Sequence, residues 1–155
     1  MNHRATLTLN SESDTALDMM ASTWSTENGH LVANSKTIAV SNSSFALNNG
    51  ALEAETLDIV SSNVDFNGDL NTTTINNWNS NLRLFGTVTA DTVFSSNGTT
   101  FINATREVQS YTCVGKSVLD VDGWAVADIL TNTEGCANSD IWTSIVNAQR
   151  TALDL

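Results

Sequence analysis

At 155 residues the chain suffices for one domain and is too short for two ordinary ones. Apolar residues make up 41%, enough to bury a core and exclude a disordered chain; Ser, Thr and Asn make up about 37% and charged residues only 15%, against ~25% charged in an ordinary soluble domain. A formal charge of −11 with two lysines, Lys36 and Lys116, leaves no basic stripe for nucleic acid or for an anionic membrane surface, and no apolar run approaches the ~18 residues that membrane insertion requires.

Taken in chain order, residues 1–28 read as an N-terminal strand and capping segment. Thr6-Leu7-Thr8-Leu9 alternates as a strand does, while Ala16-Leu17-Asp18-Met19-Met20 admits a helical turn or a cap. The start of the chain, MNHRATLTLNSESD, has no apolar stretch of the secretory type. The expectation is export by another route, assembly inside a cell, or excision from a longer chain.

From residue 29 a repeat takes over. Gly50, Gly68 and Gly86 recur at a constant spacing, 68 − 50 = 18 and 86 − 68 = 18. Around each lies one pattern: two alternating apolar residues, a turn, the glycine, a further apolar residue, a small residue and another apolar pair. The copies are Phe45 to Ile59, Val64 to Ile75 and Leu82 to Val93. Gly29-His30-Leu31-Val32-Ala33 leads into Ile38 with two extra residues, and Leu119 to Leu130 overlays the third copy over 12 positions. Residues at roughly 100–117 fit the pattern poorly.

Apolar-polar-apolar spacing marks strands with one face buried, and one copy holds too few residues to close a core. Stacking copies ~4.8 Å apart turns the apolar positions into interior ladders and satisfies each backbone with its neighbours. The predicted fold is therefore all-β: a right-handed parallel β-helix of roughly 18-residue coils over 29–130. A sandwich or meander is the competing reading, but hairpins would place turns about every 8–12 residues without the long period. The chain contains no proline and many asparagines, which suits corners made in left-handed backbone conformations.

Residues 131–155 differ in kind. Ser139-Asp140-Ile141-Trp142 and Ile145-Val146 give helical spacing behind an N-cap, so a short C-terminal helical cap over the last coil is predicted, covering an edge that would otherwise invite association.

Candidate sites are few. Cys113 and Cys136 are separated by 136 − 113 = 23, near one period plus a turn, so a disulfide between adjacent coils is expected, with two unpaired thiols as the alternative. Asp120, Asp122 and Asp128 suggest the start of a calcium loop, yet Trp124 takes a ligand position and Thr131 stands where a bidentate glutamate belongs. The solenoid alignment accounts for the same residues by placing Asp120 and Asp122 outward, between inward Leu119 and Val121. Aligned coils bring Glu53 over Asn71 and Thr89, so carboxylates do not stack into an acid/base pair. His3 and His30, the only histidines, have no evident partner. The pair Thr87 and Thr89 does not extend into the threonine array that ice binding would need. The chain is expected to be no enzyme, with no catalytic residues, cofactor or metal.

The phrases GALEAETLDIVSS, GDLNTTTINN and GTVTADTVFSS resemble the degenerate repeats of filamentous-haemagglutinin-like adhesins and autotransporter passengers, over roughly residues 29–95 with an echo at 119–130. The resemblance implies an extracellular or cell-surface bacterial structural and adhesive module that contacts a glycan or a cell-surface receptor. Bactofilins, cytoplasmic solenoids of similar coil length, are the rival and imply copies of the chain docked end to end. Phage tail-fibre or spike segments are a third possibility.

Overall fold

The computed structural model describes residues 6–114, 117–121 and 126–130. They form a parallel β-solenoid whose coils repeat with the period of the glycines, without a helix among the described residues. In chain order the strands are β1 Thr6–Thr8, β2 Thr15–Met20, β3 Thr23–Glu27, β4 His30–Val32, β5 Thr37–Ser41, β6 Ser44–Val60, β7 Asn63–Trp78, β8 Asn81–Ser96, β9 Thr99–Val114, β10 Val118–Val121 and β11 Val126–Leu130. Strands β6 to β9 each run nearly the length of one coil, and every pairing recorded between strands is parallel.

The register explains the spacings in the sequence. Gly50 pairs with Gly68 and Gly68 with Gly86. The longer step from Gly29 to Gly50, 50 − 29 = 21, is 18 with three insertions. Two fall in the Asn34-Ser35 turn, where both residues have positive φ (24° and 58°). The third is Asn49, φ 53°, absorbed by a register shift between Asn48 and Gly50. At the other end the step changes from 114 − 96 = 18 to 118 − 99 = 19, so one extra residue lies between Val114 and Val118.

Inward positions line up as files down the axis. Phe45, Val64 and Leu82 form one and Leu47, Phe66 and Leu84 its neighbour. Phe45 sits beside Leu47 and Val64 beside Phe66, so in these two coils the bulkier ring of one file lies next to a smaller residue of the other, which helps fill the interior. Leu31, Leu52, Leu70 and Val88 make a third file; Ile38, Leu57, Ile75 and Val93 make a fourth. All of these side chains are buried, and burying each contributes about 1.5–3 kcal/mol.

One corner is repeated with little variation. Ala21, Asn42, Ser61, Asn79 and Asn97 all have φ between 48° and 52°, a left-handed conformation that asparagine tolerates better than most residues. A serine follows in four of these coils. The Ser43 amide donates to Ser62 Oγ at 3.0 Å and the Ser62 amide to Ser80 Oγ at 2.9 Å. Each hydroxyl donates back to a carbonyl two residues earlier, Ser62 to Val60 and Ser80 to Trp78, both at 2.7 Å. The corner's buried amides are thus satisfied by the coil above, and a proline, having no N–H, would break the chain of bonds.

Two sequence expectations are revised. Residues 16–20, where a helical turn or a cap was admissible, belong to strand β2. Leu17 and Met19 pair with Ile38 and Val40 of β5, so the strand satisfies a backbone edge that a helical turn would leave open. Within the stretch at roughly 100–117, which fits the repeat poorly, β9 runs in register with β8 from Thr99 to Val114. The repeat is obscured there because Ala104 stands at the glycine position and Arg106 follows Val88 at an apolar one. The predicted helical cap at 131–155 lies outside the described residues.

Candidate functional site

The outward rows of the coils are the surfaces available for contact, and register decides what each presents. On the face built from β4 and the 51–54, 69–72 and 87–90 segments, Ala51, Asp69 and Thr87 form one row and Glu53, Asn71 and Thr89 the next. The first row thus runs methyl, carboxylate, hydroxyl and the second carboxylate, amide, hydroxyl, so carboxylates do not stack on one another, as the alignment predicted. The residues flanking this face shape a shallow groove that includes Glu53, Glu55, Asn71, Thr73 and Asp91.

His30 was expected to lack a partner, and the structure corrects this. Its Nε2 lies 3.0 Å from Glu53 Oε1 on the next coil. The separation in sequence is 53 − 30 = 23, and the insertions at 34–35 and 49 hid the juxtaposition. Both side chains are substantially exposed, which makes the pair a weak stabiliser.

A second face, from β3 and the 44–48, 63–67, 81–85 and 99–103 segments, carries Asn63 and Asn81, whose amides bond at 3.0 Å. Beside them Arg83 reaches Asp65 at 3.3 Å and lies 5.5 Å from the centre of the Phe85 ring.

The third face holds two features that sequence reading did not find. Thr15, Thr37, Thr56, Thr74 and Thr92 stand in register, continued by Ser110. The spacing is legible in hindsight, since 37, 56, 74 and 92 differ by 19, 18 and 18. These threonines are half-buried and the next outward row is mixed (Asp18, Ala39, Asp58, Asn76, Phe94), so no two-dimensional hydroxyl lattice forms on this face among the described residues. The second feature is Trp78, 43% exposed, with its ring 4.6 Å from that of Phe94 at 46°.

The interior also turns polar toward β9. Asn77 continues the file of Val40 and Ile59, is fully buried, and donates to Thr99 O at 3.0 Å and Thr100 Oγ1 at 2.8 Å. Thr100 reaches Ser95 Oγ, and Ser117 donates to Ser95 O at 2.9 Å. The pattern of outward and inward positions would have called for an apolar residue at 77.

The sequence-predicted sites are not brought together among the described residues. Asp120 is in β10, paired with Phe101, and Asp128 is in β11. Asp122 lies outside the described residues, so the calcium set is not assembled in them. Cys113 is in β9 and pairs with Ser95 through its backbone, whereas Cys136 and the proposed disulfide lie outside the described residues. Among the described residues no group of three or more His, Cys, Asp or Glu side chains converges as a metal site would.

No known protein family, curated protein or solved structure matches this chain.

Proposed function

We propose that this chain is a non-catalytic extracellular module, a rigid shaft that adheres through its polar coil faces. The observation that carries the reading is the register of the outward rows. Hydroxyls and amides from successive coils, such as the threonine file 15-37-56-74-92 and the Asn63–Asn81 pair, recur about every 4.8 Å. Such rows offer many weak hydrogen-bonding positions on a backbone that does not need to be ordered on binding, and binding to preorganised groups loses less entropy. A surface of this kind suits a glycan or a cell-surface receptor, and the low content of cations argues against polyanions.

The finer architectural expectations belong to the same proposal. The winding is right-handed, as crossovers between parallel strands are in about 98% of cases. A helix over residues 139–150 caps the last coil, and a Cys113–Cys136 bond staples it, both consistent with an oxidising, cell-surface setting. The sequence resemblance to filamentous-haemagglutinin-like and autotransporter repeats supports this setting over a bactofilin-like polymer or a phage fibre segment.

Negative-stain microscopy of the purified chain, with and without reductant, tests the reading. Discrete short particles that reductant destabilises are expected. Salt-stable filaments in both conditions would replace it with the end-to-end polymer, and measurable turnover of polysaccharides would remove it altogether.

A further inference from the structure

We infer that Trp78 and Phe94 form a stacking platform for the apolar face of a neutral pyranose sugar, an assignment that rests on the adhesive reading above. Trp78 ends β7 and points outward one residue before the left-handed Asn79. Its carbonyl is held twice, by the Ser80 hydroxyl at 2.7 Å and the Ser61 amide at 3.0 Å. The Phe94 ring, half-buried on the next coil, supports the indole at 4.6 Å. The backbone beneath the ring is therefore held and one side of the indole is packed against Phe94, so binding has less side-chain freedom to remove than it would at an unsupported tryptophan.

The chemistry around the ring selects the occupant. A pyranose has one face of C–H groups and a rim of hydroxyls. The negative face of the indole quadrupole attracts the C–H side, and the rim requires hydrogen-bonding partners. Asn76 supplies both a donor and an acceptor from the same outward side of β7, in register between Asp58 and Phe94. No Lys or Arg stands in these outward rows, Asp58 does, and the chain carries −11 overall, so an anionic sugar would be repelled.

A second copy of the chain is the competing occupant, and area argues against it. With 43% of its surface exposed, Trp78 offers roughly 100 Å² of the ~250 Å² a large aromatic can bury. Val60 adds a little, and Ser41 separates both from Met20 in the same row. A stable protein interface needs ~800 Å² per partner. The patch is the size of a sugar ring.

Isothermal titration of the full chain with neutral cello-, xylo-, malto- and galacto-oligosaccharides, alongside heparin and polygalacturonate, tests the inference. At least one neutral series should bind and neither polyanion should. Trp78→Ala should weaken that binding roughly tenfold or more, as loss of a tryptophan hot spot does, while Trp78→Phe should retain most of it and both variants should keep the parent's far-UV spectrum and melting behaviour. Neutral sugar binding that Trp78→Ala leaves unchanged would overturn the platform while leaving the adhesive reading intact. Binding of only the polyanions, or of no sugar, would also overturn it. A dimer in sedimentation that Trp78→Ala converts to monomer would assign the ring to a second copy instead.

Discussion

Replacing Ser62 by alanine removes one oxygen from the middle of the repeated corner and should cost far more than its size suggests. Ser62 Oγ accepts the Ser43 amide at 3.0 Å, and its hydroxyl donates toward Val60 O at 2.7 Å and Val40 O at 3.1 Å. The losses are unequal. Val60 O keeps a second donor, the Asn42 amide at 3.0 Å, whereas the acceptor lost to the Ser43 amide is not replaced. Ser43 and Ser62 are 7% and 4% exposed, so water does not readily substitute. An orphaned buried donor costs about 1–3 kcal/mol, which at roughly 2–4 °C per kcal/mol for a chain of this length is a fall of about 2–12 °C in Tm. Thermal and urea melts measure the total. Because stacked repeats can unfold in parts, hydrogen exchange at the Ser43 amide is the sharper test, with protection falling tenfold for each loss of about 1.4 kcal/mol. Ser44→Ala, one position further on and exposed, is the control and should stay within about 0.5 kcal/mol of the parent. If Ser62→Ala cannot be told from Ser44→Ala by melting or by exchange at Ser43, the hydroxyl file does not hold the corner and the reasoning fails.

Three further outcomes follow from the coil geometry. Phe66→Ala empties a fully buried position between Leu47 and Leu84 and should destabilise by about 3–5 kcal/mol in a urea melt; a loss under about 1 kcal/mol would mean the interior can collapse around it. Gly86→Ala puts a methyl on a residue at φ 94°, where it would stand 2.8 Å from Gly68 N, so the two coils must separate; reduced stability with increased amide exchange at residues 68–70 is expected, and a neutral result would show that the glycine ladder is not under steric constraint. Glu53→Gln keeps the shape of the exposed His30 contact and removes its charge, so the melt should shift by no more than about 0.5 kcal/mol; a larger loss would reveal a role in stability that exposure does not predict.

Much of the architecture was legible in the chain because a solenoid writes its period into the sequence. Each coil meets only its neighbours, so an inward position recurs at one spacing and the Gly50-Gly68-Gly86 series marks the close approach of three backbones. The same logic placed Glu53 over Asn71 and Thr89 and located the two-residue insertion before Ile38. It weakened where a coil departs from type. Ala104 and Arg106 hid the β9 coil, and a short apolar run such as 16–20 cannot be assigned to strand or helix from its own residues. Only pairing with β5 decides it.

Contacts across coils were the part that needed three dimensions. His30 and Glu53 lie more than one period apart, and insertions at 34–35 and 49 had to be assigned to their turns before the two could be seen to meet. The partnership of Trp78 with Phe94 is diagonal, between different outward rows of neighbouring coils, and a repeat alignment compares positions within a row. Asn77 is buried because its register position is inward, whatever its polarity, and Thr100, one coil on, receives its amide. Periodicity along the chain is set by backbone stacking, which every coil shares, and so the sequence carries it many times over. The individual side-chain meetings depend on where each insertion falls and on which ring or amide happens to face it, and that is recorded only once, in the folded stack.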